Sequence, residues 1–230
     1  MNNFFLTAGL IFALLPFDCA AQFDLREAGY IDVSVNNVMF SGSYEGDGYI
    51  IADNDIVLIP KLTPGGGLGI AFGLCGAHAP CTFEFAYRIN FSECTTMYEE
   101  IKGRATTHVI QLVGIKWYIP RASFEKTRVK LFLDFDLSFV TTRCKKVTFE
   151  DGIVGVDEKG HPANFKAFAF GGGAGLQLMI TDNLALYAKT KPEWHVAAGL
   201  KPKGSDRYTI EDKFNNLMLL NCIGLTLYMR

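Results

Sequence analysis

The sequence lacks two features that would point to common protein classes: a long apolar run after its first residues, and an excess of charge of either sign. After Phe17 no run of about 18 apolar residues occurs, and this excludes a helical membrane protein, whose spans need about 20 such residues. The net charge is −2 at pH 7, so there is neither a broad basic surface for nucleic acid nor an acidic tail.

Motifs of catalytic and metal sites are also missing. The six cysteines include no Cys-x-x-Cys pair and are not accompanied by paired histidines, so their spacing does not resemble a zinc site. Neither a His-x-Ser pair nor a Gly-x-Ser-x-Gly elbow occurs, although nucleophilic catalysis requires a hydroxyl beside a base. We therefore predict no catalytic residue, no metal site and no cofactor. His78 and His161 are interpreted as solvated, and His195 as a rim residue near Glu193.

The first 21 residues have the pattern of a signal peptide. The apolar run Phe4–Phe17 is too short to span a bilayer and matches an h-region. Cys19 and Ala21 supply small residues at the minus-three and minus-one positions, which predicts cleavage after Ala21. Two alternatives stay open: an N-terminal helix packed in the core, and a lipid anchor on Cys19. Residues 22–230 are then expected to form one all-β domain.

Large apolar residues alternate with small or charged ones along most of the chain, and this predicts β-strands. The alternation is clearest where five large side chains share one face while Glu84 and Arg88 share the other. Such a strand needs apolar surroundings on one face and water or ion pairs on the other. Eight strands are predicted: Ile31–Phe40, Leu62–Leu74, Phe83–Ser92, Thr106–Ile119, Val129–Phe139, Phe168–Ile180, Leu184–Trp194 and Phe214–Arg230.

Two of these strands depart from simple alternation. In the first, Asn36-Asn37 shifts the phase, as a β-bulge would. In the fourth, Gln111 and Lys116 fall on opposite faces, so either choice of register turns one polar residue outward. For that strand we favour this outward set: Val109, Val113, Ile115, Trp117 and Ile119.

Long and short connections alternate strictly between the strands. The long, polar ones cover 41–55, 93–105, 141–164 and 199–213, and the short ones cover 75–80, 120–126 and 181–183. Short periplasmic turns, long external loops and an even strand number are the signature of a transmembrane barrel. A soluble lipocalin-type barrel would place its large apolar residues inside. The sequence therefore predicts an all-β fold, an eight-stranded antiparallel up-and-down transmembrane β-barrel with both termini periplasmic.

Two segments resemble the porin-like outer-membrane β-barrel family, the small eight-stranded barrels of diderm bacteria. They read GGGAGLQLMITDNLALYA (Gly171–Ala188) and NCIGLTLYMR (Asn221–Arg230), and the resemblance covers about residues 30–230. Arg230 stands where the family usually ends in an aromatic residue, with Tyr228 nearby. The resemblance implies a fold, a location in the cell outer membrane and recognition by the barrel-assembly machinery, but no substrate.

Inward-facing charged residues are the candidate site. An eight-stranded barrel is only wide enough for its own side chains, and buried charges persist when they are paired, so a neutralising network is favoured over a conducting path. The inward glycines would loosen the packing, which keeps a narrow porin as the alternative. The predicted network comprises Lys61, Glu84, Arg88, Lys130, Asp134, Asp136, Lys189, Lys191 and Glu193.

Cysteines and aromatic residues near the strand ends give two further predictions. Cys75 and Cys81 bracket a short turn, and we predict a disulfide between them in the oxidising periplasm; two reduced thiols are the open alternative. Aromatic residues at strand ends are interpreted as interfacial girdles. These are Phe83, Phe91, Trp117, Tyr118, Phe139, Phe165, Trp194 and Tyr228.

Together these observations predict a structural or surface-interaction protein of the outer membrane. Its long loops, chiefly 141–164, would meet an extracellular ligand or a host surface. Its other partners would be outer-membrane lipid, including lipopolysaccharide, and the barrel-assembly machinery. We predict a monomer that is not an enzyme and does not bind nucleic acid. A narrow porin is the main alternative, followed by a lipid-modifying enzyme and a soluble ligand-binding barrel.

Overall fold

Eight long antiparallel strands make up most of the described part of the chain. The computed structural model describes residues 25–44, 49–52, 55–58, 61–77, 79–95, 102–119, 127–145, 147–148, 153–154, 163–202 and 214–229. Within these ranges no helix is long and apolar enough to cross a membrane. The strands are β1 (Gly29–Tyr44), β2 (Gly65–Cys75), β3 (Cys81–Thr95), β4 (Lys102–Ile119), β5 (Val129–Lys145), β6 (Ala163–Met179), β7 (Leu184–Pro202) and β8 (Phe214–Met229).

The strands close into a barrel. Each pairs with its neighbours in sequence, and β1 also pairs with β8. This seam runs without interruption from the pair Gly29 and Met229 to the pair Tyr44 and Phe214. Closure leaves no unpaired strand edge, which a hydrocarbon environment would not tolerate. The predicted up-and-down barrel is confirmed, while the segment predicted as a signal peptide lies outside the described residues.

The outward face of the wall is apolar. Phe85 on β3 and Leu74 on β2 leave 62% and 68% of their surface exposed. On β5 the outward apolar residues run from Val129 to Phe139. Ten residues rise about 33 Å along a strand, or about 25 Å along the axis of a barrel whose strands tilt by about 40°. That is the height of a lipid-facing band, and the predicted faces of β2, β3, β5, β6, β7 and β8 are confirmed.

The strands are longer than predicted. β1 reaches Tyr44 and β5 reaches Lys145, both inside segments predicted to be loops. Two short hairpins form in or next to those segments. The short strand Lys61–Leu62 pairs with the last residues of β3. The hairpins pair Tyr49–Ala52 with Asp55–Leu58, and Val147–Thr148 with Ile153–Val154. Strand ends beyond the lipid band carry no apolar face, so the alternation that predicts a strand is absent there.

β1 has no bulge at Asn36-Asn37, contrary to the prediction. Its register with β2 and β8 continues through both residues. Asn36 and Val38 are buried inside, and Asn37 and Met39 are exposed outside. The sequence suggested a change of face because the polar Asn37 faces outward and the apolar Val38 faces inward, the reverse of the pattern from Ile31 to Asn36.

The bulge lies in β4 instead. In the ladder with β5, Leu112 is one extra residue between Gln111 and Val113. In the ladder with β3, Leu112 and Val113 together stand opposite Phe85. Because the bulge reverses the phase, Gln111 and Lys116 both lie inside the barrel. The predicted outward set is correct from Val113 onward and wrong for Val109, which is buried inside.

Candidate functional site: the charged interior

Among the side chains that the structure describes, ten charged ones lie buried inside the barrel. Strand alternation places them there, because the charged residues of β3, β5 and β7 are spaced by two or four positions. Cations and anions are equal in number, so this part of the interior is electrically balanced. The cations are Arg88, Lys116, Lys130, Lys189 and Lys191, and the anions are Asp32, Glu84, Asp134, Asp136 and Glu193.

Lys116 organises the half of the network nearer the short turns. Its Nζ lies 2.7 Å from Asp32 Oδ2 and 2.5 Å from Glu84 Oε2. The hydroxyl of Tyr30 donates a hydrogen bond to the same Glu84 oxygen at 3.0 Å. The ammonium also lies 4.9 Å from the centre of the Tyr30 ring and 5.2 Å from that of Tyr187, within the range of a cation–π contact.

Lys189 joins this group to the next one. Its Nζ lies 2.7 Å from Asp134 Oδ2 and 3.9 Å from Glu84 Oε1. Asp134 in turn lies 3.6 Å from Lys191 Nζ. The contacts therefore form a continuous chain of alternating charge along the barrel axis.

Lys191 and Arg88 organise the half nearer the long loops. Lys191 Nζ lies 3.0 Å from Asp136 Oδ2 and 3.2 Å from Glu193 Oε1. Arg88 Nη2 lies 2.5 Å from the same Glu193 oxygen and 3.7 Å from Asp136 Oδ2. His195 Nε2 is 3.8 Å from Glu193 Oε2. His195 is buried beside Glu193, so its interpretation as a rim residue is wrong.

An aromatic cluster fills the short-turn end of the barrel. Tyr118 donates a hydrogen bond to Gln177 Oε1 at 3.1 Å, and Gln177 Nε2 donates one to the Tyr228 hydroxyl at 2.5 Å. The Tyr118 ring is tilted against Phe132, with centroids 5.8 Å apart. Leu25 is fully buried in the same cluster. It enters from the segment before β1, which turns at Glu27 with a φ of 61°.

Inward glycines make room for these large side chains. A Cβ on Gly175 would overlap the ring of Phe132, with Cε2 at 2.7 Å and Cζ closer still, and one on Gly224 would lie 2.7 Å from the ring of Tyr187. Both distances are too short for any real Cβ contact. The expectation that inward glycines loosen the packing is therefore wrong, since large side chains cross the lumen against them.

The predicted network residues lie together, with one residue unassigned. Eight of the nine predicted residues are buried inside the barrel. The ninth, Lys61, lies in a short strand, and its side chain is outside the described part of the structure. Asp32 and Lys116 were missed. Asp32 alternates with the apolar Ile31 and Val33, and this alternation would have predicted that Asp32 faces inward. Lys116 could be assigned inward only by recognising the bulge.

The predicted disulfide between Cys75 and Cys81 is not formed, and both residues are free thiols. Cys75 pairs with Thr82, which faces inward. Cys81 is the residue before Thr82 and pairs with Trp117, which faces outward, although Cys81 itself is covered from solvent. Strand alternation thus directs the two sulfur atoms to opposite faces of the wall.

The aromatic girdle prediction is correct for part of its set. Phe83, Phe91, Trp117 and Trp194 are exposed on the outward face. Tyr118 and Tyr228 are instead buried in the interior cluster, and the side chain of Phe165 lies outside the described residues. The hydroxyls explain the two exceptions, because both have hydrogen-bond partners inside the barrel.

Comparison with known proteins shows the fold. No family model and no curated protein matches the sequence. Neisserial surface protein A (NspA) is similar in structure, with 11% identity, a TM-score of 0.51, and coverage of 86% of this chain and 96% of that one. OprG, an outer membrane protein of Pseudomonas aeruginosa, has 10% identity, a TM-score of 0.53, and coverage of 91% and 100%.

The chain thus has the fold of the small outer-membrane β-barrels. This confirms the resemblance that the sequence predicted, at the level of the fold. Because the exterior is apolar over the height of a lipid-facing band, the wall of the barrel is suited to face lipid. Among the described residues, no group of three or more His, Cys, Asp or Glu side chains is arranged to hold a metal ion.

Proposed function

We propose that the protein is a closed outer-membrane barrel with a structural and surface-interaction role. In this proposal the wall anchors the chain in the membrane and its interior does not conduct solutes. The long polar loops, chiefly 141–164, meet an extracellular ligand or a host surface. Outer-membrane lipid surrounds the wall, and the barrel-assembly machinery inserts it.

The main observation in favour of a closed barrel is that solvent does not reach the interior charges. A water-filled lumen would leave the side chains that line it exposed. Lys130, Asp134, Lys191 and Glu193 are instead 0% exposed. The aromatic cluster adds a second obstruction at the short-turn end. Both favour a closed interior over a narrow porin.

The charge pattern also favours closure. A selective ion path is usually lined by rings of one sign of charge, whereas here Arg88, Lys116, Lys189 and Lys191 each lie between carboxylates. Moving an ion through this chain would require breaking several buried pairs, each of which costs several kcal/mol when one partner is left alone.

Planar-bilayer recording tests the closed interior. We expect no conductance steps from the purified, reconstituted protein, because the network and the aromatic cluster block the lumen. A matched variant in which residues 149–162 are replaced by a short Gly-Ser linker should also be silent. Steps in the unmodified protein would support the narrow porin. Steps in the shortened variant alone would show that the loop, and not the interior, closes the barrel.

A further inference from the structure

The outward surface at the long-loop end of β4, β5 and β6 is positively charged. Arg104, Arg143 and Lys166 are all exposed there, one on each strand. Lys166 is level with Thr141 in the register of β6 with β5, and Arg143 lies one outward position further along β5. We call Arg104, Arg143 and Lys166 the cationic patch.

Lys166 and Arg143 of the cationic patch lie near the height of lipid headgroups, and Arg104, level with Lys145, lies further out. Phe139 is the last outward apolar residue of β5, and Arg143 follows it by four positions. Four residues rise about 13 Å along a strand, or about 10 Å along the axis of a tilted barrel. Lys166, level with Thr141, is about 5 Å above the band by the same geometry. The polar headgroup layer on each side of a bilayer is about 5 to 8 Å thick, and long side chains span the remaining difference.

The spacing of the patch suits a phosphate group. Lys166 and Arg143 are diagonal neighbours on adjacent strands, which places their backbones roughly 7 to 8 Å apart. Arg104 stands directly opposite Lys145, one outward position beyond Arg143. Guanidinium groups bind phosphate oxygens in a bidentate manner, and lysine adds a point charge. Two such side chains can therefore hold one phosphate between them.

In the described part of the chain, one carboxylate on a neighbouring strand faces the patch. Glu93 on β3 is opposite Arg104 in the register. No ion pair joins Arg143 or Lys166 to a carboxylate among the side chains that the structure describes. The interior cations Arg88, Lys116 and Lys191, by contrast, each form close contacts with carboxylates. The patch is therefore a place where an external anion can supply the missing charge.

An apolar surface lies directly below the patch. Ile110, Phe139 and Phe168 face outward side by side on β4, β5 and β6. The rings of Phe139 and Phe168 meet edge to face, with centroids 5.7 Å apart. Cations above and aromatic surface below match an amphiphile whose phosphate sits above its acyl chains.

We propose that the cationic patch binds the phosphate of an anionic glycolipid in the outer leaflet, while Ile110, Phe139 and Phe168 contact its acyl chains. This proposal depends on the proposed function in one respect, namely that the long-loop end faces the cell exterior. Among lipids that could surround the wall, it selects those with phosphorylated headgroups. It assigns the contact to one side of the barrel, formed by β4 to β6.

Lipid titration tests the site. The probes are bisphosphorylated lipid A and the same lipid with its phosphates removed, each titrated into the purified barrel in a zwitterionic detergent. We expect the phosphorylated lipid to bind more tightly, and R143Q/K166Q to weaken its binding by about 10- to 30-fold, since each surface cation contributes about 1 kcal/mol to binding of anionic lipid. The dephosphorylated lipid should bind both proteins equally.

A control variant, R26Q/R128Q, removes the same charge from two exposed positions at the short-turn end of the barrel, away from the patch. It should bind like the unmodified protein. Equal binding of the two lipids, or equal weakening by the control, would overturn the proposal. If R143Q/K166Q does not fold, two measurements still test the proposal. One compares the two lipids on the unmodified protein, and the other uses the single variants R143Q and K166Q. A conducting barrel would refute the closed interior without affecting this result.

Discussion

Lys116 holds two carboxylates inside the barrel and is the side chain on which the short-turn half of the network depends. Its ammonium contacts Asp32 and Glu84 and faces the ring of Tyr30. Removing one partner from a buried ionic group costs far more than removing an exposed charge, because the remaining charges stay desolvated. Lys116 should therefore be much more important for stability than the exposed Lys166.

We expect K116M to lower the free energy of unfolding by about 3 to 5 kcal/mol, the usual cost of breaking a buried pair. K166M, the same substitution at an exposed site, should change it by less than about 0.5 kcal/mol. Urea unfolding of the protein folded in lipid vesicles measures both. The triple variant K116M/D32N/E84Q should recover part of the loss, because it removes the unpaired charges. Equal stability of K116M and K166M would contradict a structural role for the network.

At the level of single residues, the sequence was sufficient to predict most of the charges that face inward, with Asp32 and Lys116 missed, but not to predict which of them are in contact. Glu84, Lys130 and Glu193 could be assigned from strand alternation alone. The contact of Lys116 with Asp32 joins β4 to β1 across the lumen. Such contacts depend on the stagger of the closed barrel, which no single strand reveals. The disulfide prediction failed for a related reason, since closeness in sequence did not mean that both cysteines faced the same side.

Among the strands, β4 is the one in which a bulge decides which side chains face the interior. Its extra residue, Leu112, allows Gln111 and Lys116 to share the inner face although an odd number of positions separates them. Two polar residues at odd spacing in an otherwise apolar strand are the signal that a bulge leaves in sequence. The position of the bulge could not be derived from that spacing, because any residue between the two polar ones would restore the phase.

Deletion of Leu112 should be tolerated, because it removes the extra residue and leaves a regular strand with both polar side chains still inside. Deletion of Leu133 from β5 is the matched control. β5 has no bulge, so that deletion shifts the phase and turns charged residues toward lipid. Folding yield into vesicles measures the difference. Failure of the Leu112 variant together with success of the Leu133 variant would refute the assigned register.

For the whole molecule, closure and a balanced interior depend on each other. The sheet closes only if β1 meets β8, and the charges of β1, β3, β4, β5 and β7 meet only once it has closed. The alternation of long and short loops made this topology predictable from sequence. The strand ends above the membrane were not predictable, because water on the outside removes the apolar pattern there.

The seam between β1 and β8 should therefore decide whether the barrel forms as one cooperative unit. We expect the unmodified protein to be recovered from membranes and to migrate differently before and after boiling, since a closed barrel resists mild detergent. A variant that ends at Leu220 loses the partners of Gly29 to Asn37, exposes two long strand edges to lipid, and should show only the boiled form. Recovery of the unmodified protein in the soluble periplasmic fraction, with one migration position, would refute the membrane barrel. A heat-modifiable truncated protein would instead show that the six pairings among β1 to β7, with the remaining part of β8, suffice.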